Sequence, residues 1–463
     1  MKKQPNILFI LSDQHRYDCT GYANDYPVKT PNLDRLAQDG LCFNRAYTPI
    51  PLCCPARQSL MTGRRAESLG CYWNFNITLD IPGLDPKEYA WPRDLKNAGY
   101  RCGYVGKWHV NQFHNPTEFG FDDYISDWEY KKFRQEKYPN SDMGHDRMGA
   151  VDSVPLEDTR THWQAKLVQN LIEQYTEEGK PWHIRLDFKE PHLPCQPTKE
   201  FADRYNPKDI PIWRSFSDTF QNKPYIQKQQ LYNWGIENYT WEDWSHYVAR
   251  YYAIISQMDD AIGYVLSTLD QLGIANDTMV IYSTDHGDMG GGHQMMDKHY
   301  VLYQDIVHIP MIIRWPGVIE KGSVNNEFVY QSLDLPPTIM EAVGLTPPES
   351  FHGRSLMPLL RGEKVSDWRQ EVVSTYNGQQ FGLYTQRMIF DGRFKYIWNL
   401  TDMDELYDLE EDPDELDNRI YKESYKAIIS NLRKKLYEVL VKEGDGLVKG
   451  NWLKNQLLYD KKL

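Results

Sequence analysis

The 463-residue chain contains no run of about 18 apolar residues, so we expect no helix that spans a membrane. Its N-terminal apolar stretch, Ile7 to Leu11, runs directly into Ser12 and Asp13 without a small-residue cleavage site. We therefore interpret this stretch as a buried strand and not as a signal peptide. The seven cysteines show no metal-ligand spacing, which is typical of free thiols in a reducing compartment. These absences together predict a cytoplasmic protein.

Positive charge is also scarce, because 52 basic side chains stand against 65 acidic ones and give a net charge of −13. This balance argues against general affinity for nucleic acid or for an anionic membrane. No internal repeat or low-complexity tract is visible. An anionic substrate would therefore need positive charge concentrated at one place in the fold. Aromatic residues, in contrast, are abundant at 13%, and they suit either a large core or flat surfaces for sugar rings.

Short apolar runs and helical patterns alternate along most of the chain. Each apolar run ends at polar or glycine residues, as buried strands do. The predicted strands are Asn6 to Leu11, Tyr100 to Val105, Trp182 to Phe188, Met279 to Ser283 and Met311 to Trp315. The predicted helices are Leu33 to Asp39, Ala90 to Ala98, His162 to Glu177 and about Trp244 to Leu272. This alternation predicts an α/β fold with a large, mostly parallel sheet sandwiched by helices.

In such a sheet, ligands bind beyond the carboxyl ends of the strands. Three clusters of charged or catalytic-type residues directly follow a predicted strand: Asp13-Gln14, Lys107 with His109, and Asp285-His286. The pattern therefore places these clusters at the edge where a ligand is expected.

The pattern changes after about residue 365, so we predict two domains, 1–364 and 365–463. The second domain contains strand-like segments and one helix: Val372 to Thr375, Leu383 to Thr385, Met388 to Trp398 with a turn at Asp391-Gly392, and the helix from about Tyr421 to Glu443. It is predicted to be a smaller antiparallel sheet packed against that helix. Within the first domain, Pro197 to Glu242 lacks clear periodicity, which suits a lid, a specificity loop or plain surface.

The most informative stretch runs from Pro51 to Arg64 and contains Cys53 at the mouth of a predicted short helix. Pro55 just inside and Gly63 at the end bracket this helix. Free N–H groups and the positive dipole end favour an anion there, and Arg57, one turn on, adds a bidentate donor. One interpretation is a nucleophile beside an oxyanion site. The other is a buried cysteine pair before an ordinary amphipathic helix.

The pattern Cys-x-Pro-Ala-Arg followed by Thr-Gly, here from Cys53 to Gly63, resembles the signature of the formylglycine-dependent (type I) sulfatases of the alkaline-phosphatase-like superfamily. Further blocks resemble this family, in its order, along nearly the whole chain: Asn6 to Gln14, Thr30 to Ala37, Gly106 to His109, Pro191 to Pro194, Ser283 to Asp288, Lys298, and Glu405 to Leu409 with Asn418. The resemblance implies that a formylglycine-generating maturation enzyme oxidises Cys53, whereas Cys54 occupies a variable position.

The resemblance also implies one divalent metal. Its expected ligands are Asp13, Gln14, Asp285, His286 and the modified Cys53. Oxygen ligands suit a hard ion, and the family favours Ca²⁺. The commoner family pattern has two consecutive aspartates where Asp13 and Gln14 stand. The lost carboxylate, together with His286, leaves Mn²⁺ and Mg²⁺ as alternatives.

The chemistry implied by the resemblance is sulfate-ester hydrolysis by six catalytic residues: Cys53, Arg57, Lys107, His109, His192 and Lys298. One hydroxyl of the hydrated formylglycine would attack sulfur and form a covalent sulfate hemiacetal. Arg57, Lys107 and Lys298 would hold sulfate oxygens, and His192 with Lys298 would protonate or polarise the departing alcohol oxygen. His109 would then take a proton from the second hydroxyl, and sulfate would leave.

The expected substrate is a sulfated carbohydrate, from the family's range and from aromatic residues that equally fit a core: Trp73, Trp213, Trp234 and Trp241. The alternative is a phosphonate monoester or phosphate diester hydrolase, since relatives with this fold attack phosphorus and some share the Asp13-Gln14 corner. A binding protein without catalysis is a third hypothesis, and it is disfavoured because no matching catalytic position is replaced.

Overall fold

The computed structural model describes residues 4–75, 79–81, 83–141 and 146–460. The strands are β1 (Asn6–Asp13), β2 (Leu41–Phe43), β3 (Ala46–Tyr47), β4 (Arg101–Gly106), β5 (Asp123–Ser126), β6 (Trp182–Pro191), β7 (Thr278–Thr284), β8 (Met311–Arg314), β9 (Ser323–Asn325), β10 (Val329–Tyr330), β11 (Val372–Gln379), β12 (Gly382–Phe390), β13 (Phe394–Asn399) and β14 (Glu405–Asp408). The helices are α1 (Pro31–Asp39), α2 (Cys53–Thr62), α3 (Pro92–Asn97), α4 (Asp127–Lys137), α5 (Arg160–Glu177), α6 (Lys199–Ala202), α7 (Tyr225–Trp234), α8 (Trp241–Gln271), α9 (Gln304–Val307), α10 (Gln331–Ala342), α11 (Met357–Leu360), α12 (Lys426–Lys442) and α13 (Asn451–Tyr459).

The main sheet has eight strands in the order β5-β4-β6-β1-β7-β8-β2-β9. The pairs β4–β6, β6–β1 and β1–β7 at its centre are parallel, which confirms the predicted large, mostly parallel sheet. Strand β8 differs, because it pairs antiparallel with β7 and with β2. Parallel pairing needs a long crossover, usually a helix, and the longest helix between β7 and β8 is the four-residue α9. The chain therefore turns back beside β7 in the opposite direction.

Helices cover both faces of the main sheet. On one face, Leu8 and Ile10 of β1 pack with residues of α1, α5 and α8. On the other face, Ile7 and Phe9 pack with residues of α2, α3 and α10. Strand β1 is thus buried on both sides, which explains why its sequence is continuously apolar and does not alternate.

Beyond residue 365, β11 to β14 form an antiparallel sheet in sequence order. Side chains on one face, such as Val373 and Ile389, pack against α12. Those on the other face, such as Tyr376 and Met388, join a core that also contains residues of α8. The predicted antiparallel sheet and its helix are confirmed. The boundary between residues 364 and 365 stays a prediction.

Two details of this region differ from the predicted pattern. Strand β12 is continuous where a break was expected, because Gln386 and Arg387 are polar but buried inside the strand. Each has buried partners, since Gln386 donates to Asn399 at 2.7 Å and Arg387 pairs with Asp445 at 2.6 Å. In addition, helix α13 follows the predicted C-terminal helix.

The stretch from residue 197 to 242 is more than plain surface. It contains α6, α7 and short 3-10 turns, and it buries Phe201, Trp213 and Leu231 in the core shared with α8. Short helices and single anchoring residues leave no periodic pattern in the sequence, which explains why no helix was predicted there.

All seven cysteines are buried and free of disulfide bonds. Six of them pack into apolar clusters, as small hydrophobic side chains do, and Cys53 does not. Cys53 is therefore the cysteine whose surroundings are polar. As for the helices, none within the described residues is both long and apolar enough to cross a membrane.

Candidate active site

Four neighbouring strands of the main sheet end at one edge, and polar residues follow each of them. Asp13 ends β1, Asp285 follows β7, and Lys107 follows β4. His192 follows the last residue of β6. The four strands are adjacent and parallel, so their carboxyl ends lie side by side. The structure thus brings together the three clusters that the sequence places at strand ends.

Cys53 is the first residue of α2, and its Sγ lies 3.7 Å from Asp13 Oδ1. The helix is buried throughout, and Gly63 ends it in a left-handed conformation with φ of 68°. The N–H of Cys54 in the first turn donates to Asn74 Oδ1 at 2.9 Å. The predicted helix is confirmed, with Cys53 at the positive end of its dipole.

Four buried side chains form a cluster of metal-type donors: Asp13, Cys53, Asp285 and His286. Their ligating atoms all lie within 4.8 Å of one another. Nε2 of His286 lies 3.3 Å from Cys53 Sγ and 3.8 and 3.7 Å from the Oδ1 atoms of Asp13 and Asp285. Nδ1 of His286 lies 2.9 Å from the carbonyl oxygen of Gly287, which only accepts hydrogen bonds, so Nδ1 carries the proton. Nε2 therefore faces the cluster. Burial lowers the pKa of His286, but Asp285 and Cys53 outweigh it and raise the pKa, so Nε2 would bind a metal by losing its proton.

This donor set fits a divalent cation. Burial and the neighbouring Asp13 raise the pKa of Asp285, which shows that two carboxylates here repel each other. A cation between them removes that repulsion. Gln14 Oε1, also expected as a ligand, accepts a hydrogen bond from Lys298 Nζ at 2.7 Å and keeps a second lone pair, so its role as a metal ligand stays a prediction. Its backbone N–H donates to Asp285 Oδ1 at 3.2 Å.

Arg57 links three carboxylates at the centre of the site. It donates to Asp187 Oδ2 and Asp285 Oδ2, each at 2.9 Å, and to Asp13 Oδ2 at 3.2 Å. Lys107 Nζ donates to the same oxygen of Asp13. Arg57 and Lys107 therefore balance part of the negative charge that the three buried carboxylates bring to the site.

The surroundings of Cys53 favour a negative charge at that position. Burial alone raises the pKa of a thiol. Here Lys107, Lys298 and His286 outweigh burial and hold the pKa of Cys53 well below its ordinary value. The environment of Cys54, in the same turn, has the opposite effect: burial and Cys71 raise the pKa of Cys54 well above its ordinary value.

Asp187 carries no motif in the sequence, yet it anchors Arg57. Its buried carboxylate also accepts hydrogen bonds from Arg185 Nε at 3.0 Å and from Tyr104 OH at 2.7 Å. Arg185 and Asp187 are two residues apart on β6, so they share one face of the strand. Polar and apolar residues alternate along β6, and an opposite-charge pair at this spacing in a buried strand was the signal available in the sequence.

Replacing Asp187 by asparagine should lower the free energy of unfolding by about 3–5 kcal/mol, because Arg185 would stay buried without its acidic partner. Chemical denaturation followed by tryptophan fluorescence measures the change. The matched control is Asp367→Asn, which removes the partner of Arg354 at the exposed surface and should leave the unfolding curve where it is. Coinciding curves for Asp187→Asn and the wild type would contradict the anchoring role.

His192 and Lys298 form a hydrogen-bonded pair. His192 Nδ1 lies 2.6 Å from the carbonyl oxygen of Leu193 and must donate to it, so Nε2 accepts from Lys298 Nζ at 2.8 Å. Burial and Lys298 lower the pKa of His192. Burial would also lower the pKa of Lys298, but Asp297, at 3.0 Å, and Cys53 outweigh it and raise the pKa. The lysine therefore carries the proton that the pair shares.

His109 lies two residues after Lys107 and has a left-handed backbone with φ of 52°. This conformation is strained for a non-glycine residue, and such strain is concentrated at functional sites. Its ring meets Phe75 edge-on at 5.7 Å. Burial and Lys107 lower the pKa of His109, so its neutral imidazole is able to accept a proton. The structure thus gathers all ten site residues named from the sequence, while their roles stay predictions.

Comparison with known proteins places the chain among enzymes. The sequence matches the family described as Sulfatase over residues 5–345 and the one described as N-sulphoglucosamine sulphohydrolase, C-terminal, over residues 291–442. It is 30% identical to an arylsulfatase of Clostridium perfringens over 98% of this chain and 97% of that protein. It is 23% identical to an N-acetylglucosamine-6-O-sulfatase of Bacteroides thetaiotaomicron over 91% of this chain and 84% of that protein. The fold resembles the crystal structure of a phosphonate monoester hydrolase of Agrobacterium radiobacter, with a TM-score of 0.81 and 25% identity over 95% of this chain and 96% of that one.

Proposed function

The chain belongs to the sulfatase family, and from this premise we propose that it removes sulfate from a sulfated carbohydrate. Membership of this family shows that the chain is a sulfuric ester hydrolase. We further propose that Cys53 is converted to formylglycine and that one divalent metal, Ca²⁺ first among the candidates, completes the site.

The position of Cys53 is the observation that supports this function most directly. It begins a buried helix, lies 3.7 Å from Asp13 Oδ1 and 3.3 Å from His286 Nε2, and is stabilised as an anion by Lys107 and Lys298. A formylglycine hydrate there would supply one hydroxyl to attack sulfur and a second to release sulfate afterwards. An ordinary structural cysteine needs neither the carboxylates nor the cations around it.

The residues around Cys53 suit the charges of a sulfate ester. Arg57 and Lys107 bring positive charge to the oxygens that surround sulfur. Lys298, which is protonated and bonded to His192, would donate to the alcohol oxygen as it departs. His109, which is neutral, would accept the proton that is lost when sulfate is released.

Asp13, Asp285 and Nε2 of His286 would hold the metal, together with the modified side chain at position 53. Bound there, a divalent cation supplies positive charge next to the nucleophile and the sulfate oxygens. Two carboxylates favour a hard ion such as Ca²⁺, and the ring nitrogen keeps Mn²⁺ and Mg²⁺ as alternatives.

The carbohydrate part of the proposal is supported by the similarity to a named N-acetylglucosamine-6-O-sulfatase. The rival is hydrolysis of phosphonate monoesters or phosphate diesters. It is supported by the structural similarity to a phosphonate monoester hydrolase and by the Asp13-Gln14 corner. Both reactions need a nucleophile and dispersed positive charge, so the geometry alone favours neither.

A side-by-side assay decides between these substrates. The protein is produced together with a formylglycine-generating maturation enzyme, the partner we propose for Cys53, and one preparation is given an aryl sulfate, a panel of sulfated saccharides and an aryl phosphonate. We expect the largest kcat/KM for a sulfated saccharide. A larger kcat/KM for the phosphonate would replace the proposed function by the rival one.

A further inference from the structure

Trp234, at the end of α7, lies beside the segment that carries Lys298. Its ring is parallel to that of His299 at 6.4 Å and meets Phe381 at 5.5 Å. The Nε1 atoms of Trp73, Trp213 and Trp241 donate to protein groups at 2.7, 3.1 and 3.3 Å, respectively. Nε1 of Trp234 is buried and has no partner among the described residues. Of the four tryptophans named from the sequence, Trp234 is therefore the one whose donor has no partner among the described residues, and its ring lies beside that of His299, the residue after Lys298.

The hairpin between β11 and β12 holds Phe381 in place beside Trp234. The backbone N–H of Phe381 donates to Tyr300 OH at 2.8 Å, and this hydroxyl donates to the carbonyl oxygen of Gly382 at 3.1 Å. Tyr300 is two residues from Lys298, so the hairpin is fastened to the same segment. Trp234 and Phe381 thus form a half-buried aromatic surface, which we call the aromatic wall. It packs against the chain that follows Lys298.

Arg147 adds a charge to this wall. Its guanidinium lies 5.6 Å from the centre of the Trp234 ring, it is exposed, and no carboxylate of a described residue pairs with it. The chain next to it is tied to the segment that carries His192, because Gly149, with φ of 98°, packs directly on the backbone of Cys195. A β-carbon at Gly149 would lie 1.9 Å from the carbonyl oxygen of Cys195. Arg147 thus contacts Trp234, and the chain two residues further on contacts the segment that carries His192.

We propose that Trp234, Phe381 and Arg147 form the subsite for the alcohol part of the substrate, and that this part is a sugar ring with a second negative charge. The inference rests on the proposed function, in which His192 and Lys298 act on the departing alcohol oxygen. The group attached to that oxygen must then lie close to the segments that carry this pair, and the aromatic wall packs against one of them. Aromatic faces with a nearby N–H donor suit a sugar ring, and an arginine that pairs with no carboxylate among the described residues suits a sulfate or a carboxylate.

The chain contains a matched pair for the control experiment. Lys131 Nζ lies 4.0 Å from the centre of the Trp128 ring, and Trp128 is 69% exposed on α4. This pair repeats the cation and the aromatic ring on a helix that carries none of the proposed site residues. The variants Trp128→Ala and Lys131→Gln should therefore leave every substrate preference unchanged.

The test measures kcat/KM for three substrates: an aryl sulfate, a singly sulfated neutral saccharide, and a related saccharide with a second sulfate or a carboxylate. Arg147→Gln should lower the preference for the doubly charged over the singly charged saccharide about tenfold, as expected for one charge-assisted hydrogen bond. Trp234→Ala should lower the preference for both saccharides over the aryl sulfate, by about tenfold as well. The changes should appear mainly in KM.

Unchanged preferences in Arg147→Gln and Trp234→Ala would overturn the inference, as would equal loss on all three substrates together with a lowered melting temperature. The same shifts in the Trp128 and Lys131 variants would also overturn it. If the wild-type protein cleaves no sulfate ester but does cleave the aryl phosphonate, the proposed function fails instead, and the two failures are thereby distinguished.

Discussion

Replacing Cys53 by alanine should abolish turnover and leave the fold intact. If the side chain at position 53 becomes the nucleophile, its loss removes the covalent route, and kcat should fall by at least about 10⁴-fold. The fold should survive because Cys53 belongs to none of the apolar clusters. The other nine residues of α2 are also buried and continue to hold the helix in place. Steady-state kinetics on the best sulfated substrate, with circular dichroism for the fold, measures both effects.

Cys54→Ala provides the matched control for this experiment. Cys54 is the neighbouring residue, is fully buried, and has a pKa raised by burial and Cys71, as an inert thiol does. This variant should keep most of the activity and lose some stability, since a buried side chain becomes smaller. Mass spectrometry of the peptide that contains Cys53 should show formylglycine in the active wild-type protein. Wild-type activity in Cys53→Ala, or full activity with an unmodified thiol, would rule out this nucleophile.

Local sequence predicted the parts of the site that depend on strand ends and on one helix. Asp13 and Asp285 each follow an apolar run, and parallel strands bring such ends to one edge. Pro55 and Gly63 mark the start and the end of a helix with Cys53 at its mouth, and the structure has a helix from Cys53 to Thr62. Each of these features can be predicted from a short stretch of sequence, because it depends on the hydrophobic pattern and on a nearby proline or glycine.

Features that depend on distant pairing were not predictable from the same patterns. Strand β8 has the apolar run of the other strands, but its direction is decided by the chain between β7 and β8. Arg147 and Trp234 are far apart in sequence, and only the fold brings the guanidinium to 5.6 Å from the centre of the ring. Asp187 lies inside a buried strand, where its partners come from β4, α2 and β6 itself. The hydrophobic periodicity that predicts helices and strands does not show which distant residues will be in contact.

Replacing Asp285 by asparagine should remove metal-dependent stabilisation and lower kcat at least about 100-fold, since changes even to residues that support metal ligands cost about 10- to 100-fold. Asp285 is buried, and it faces Asp13 and His286 in the donor cluster. For the wild type, Ca²⁺ at about 100 times its Kd should stabilise the fold by about 2.7 kcal/mol. Thermal melting of both proteins, in chelator and in excess Ca²⁺, measures this difference.

Asp334→Asn separates loss of the metal from loss of a buried carboxylate. Asp334 is also fully buried, and it is paired with Arg369, away from the donor cluster. In chelator, the melting temperature of Asp334→Asn should be lower than that of the wild type. It should still rise on addition of Ca²⁺, because the ligands are unchanged. Asp285→Asn should show no such rise, and Mn²⁺ or Mg²⁺ in place of Ca²⁺ ranks the candidate ions by the same shift. A full Ca²⁺-dependent rise in Asp285→Asn, with wild-type kcat, would show that the cluster of Asp13, Cys53, Asp285 and His286 does not bind the metal through Asp285.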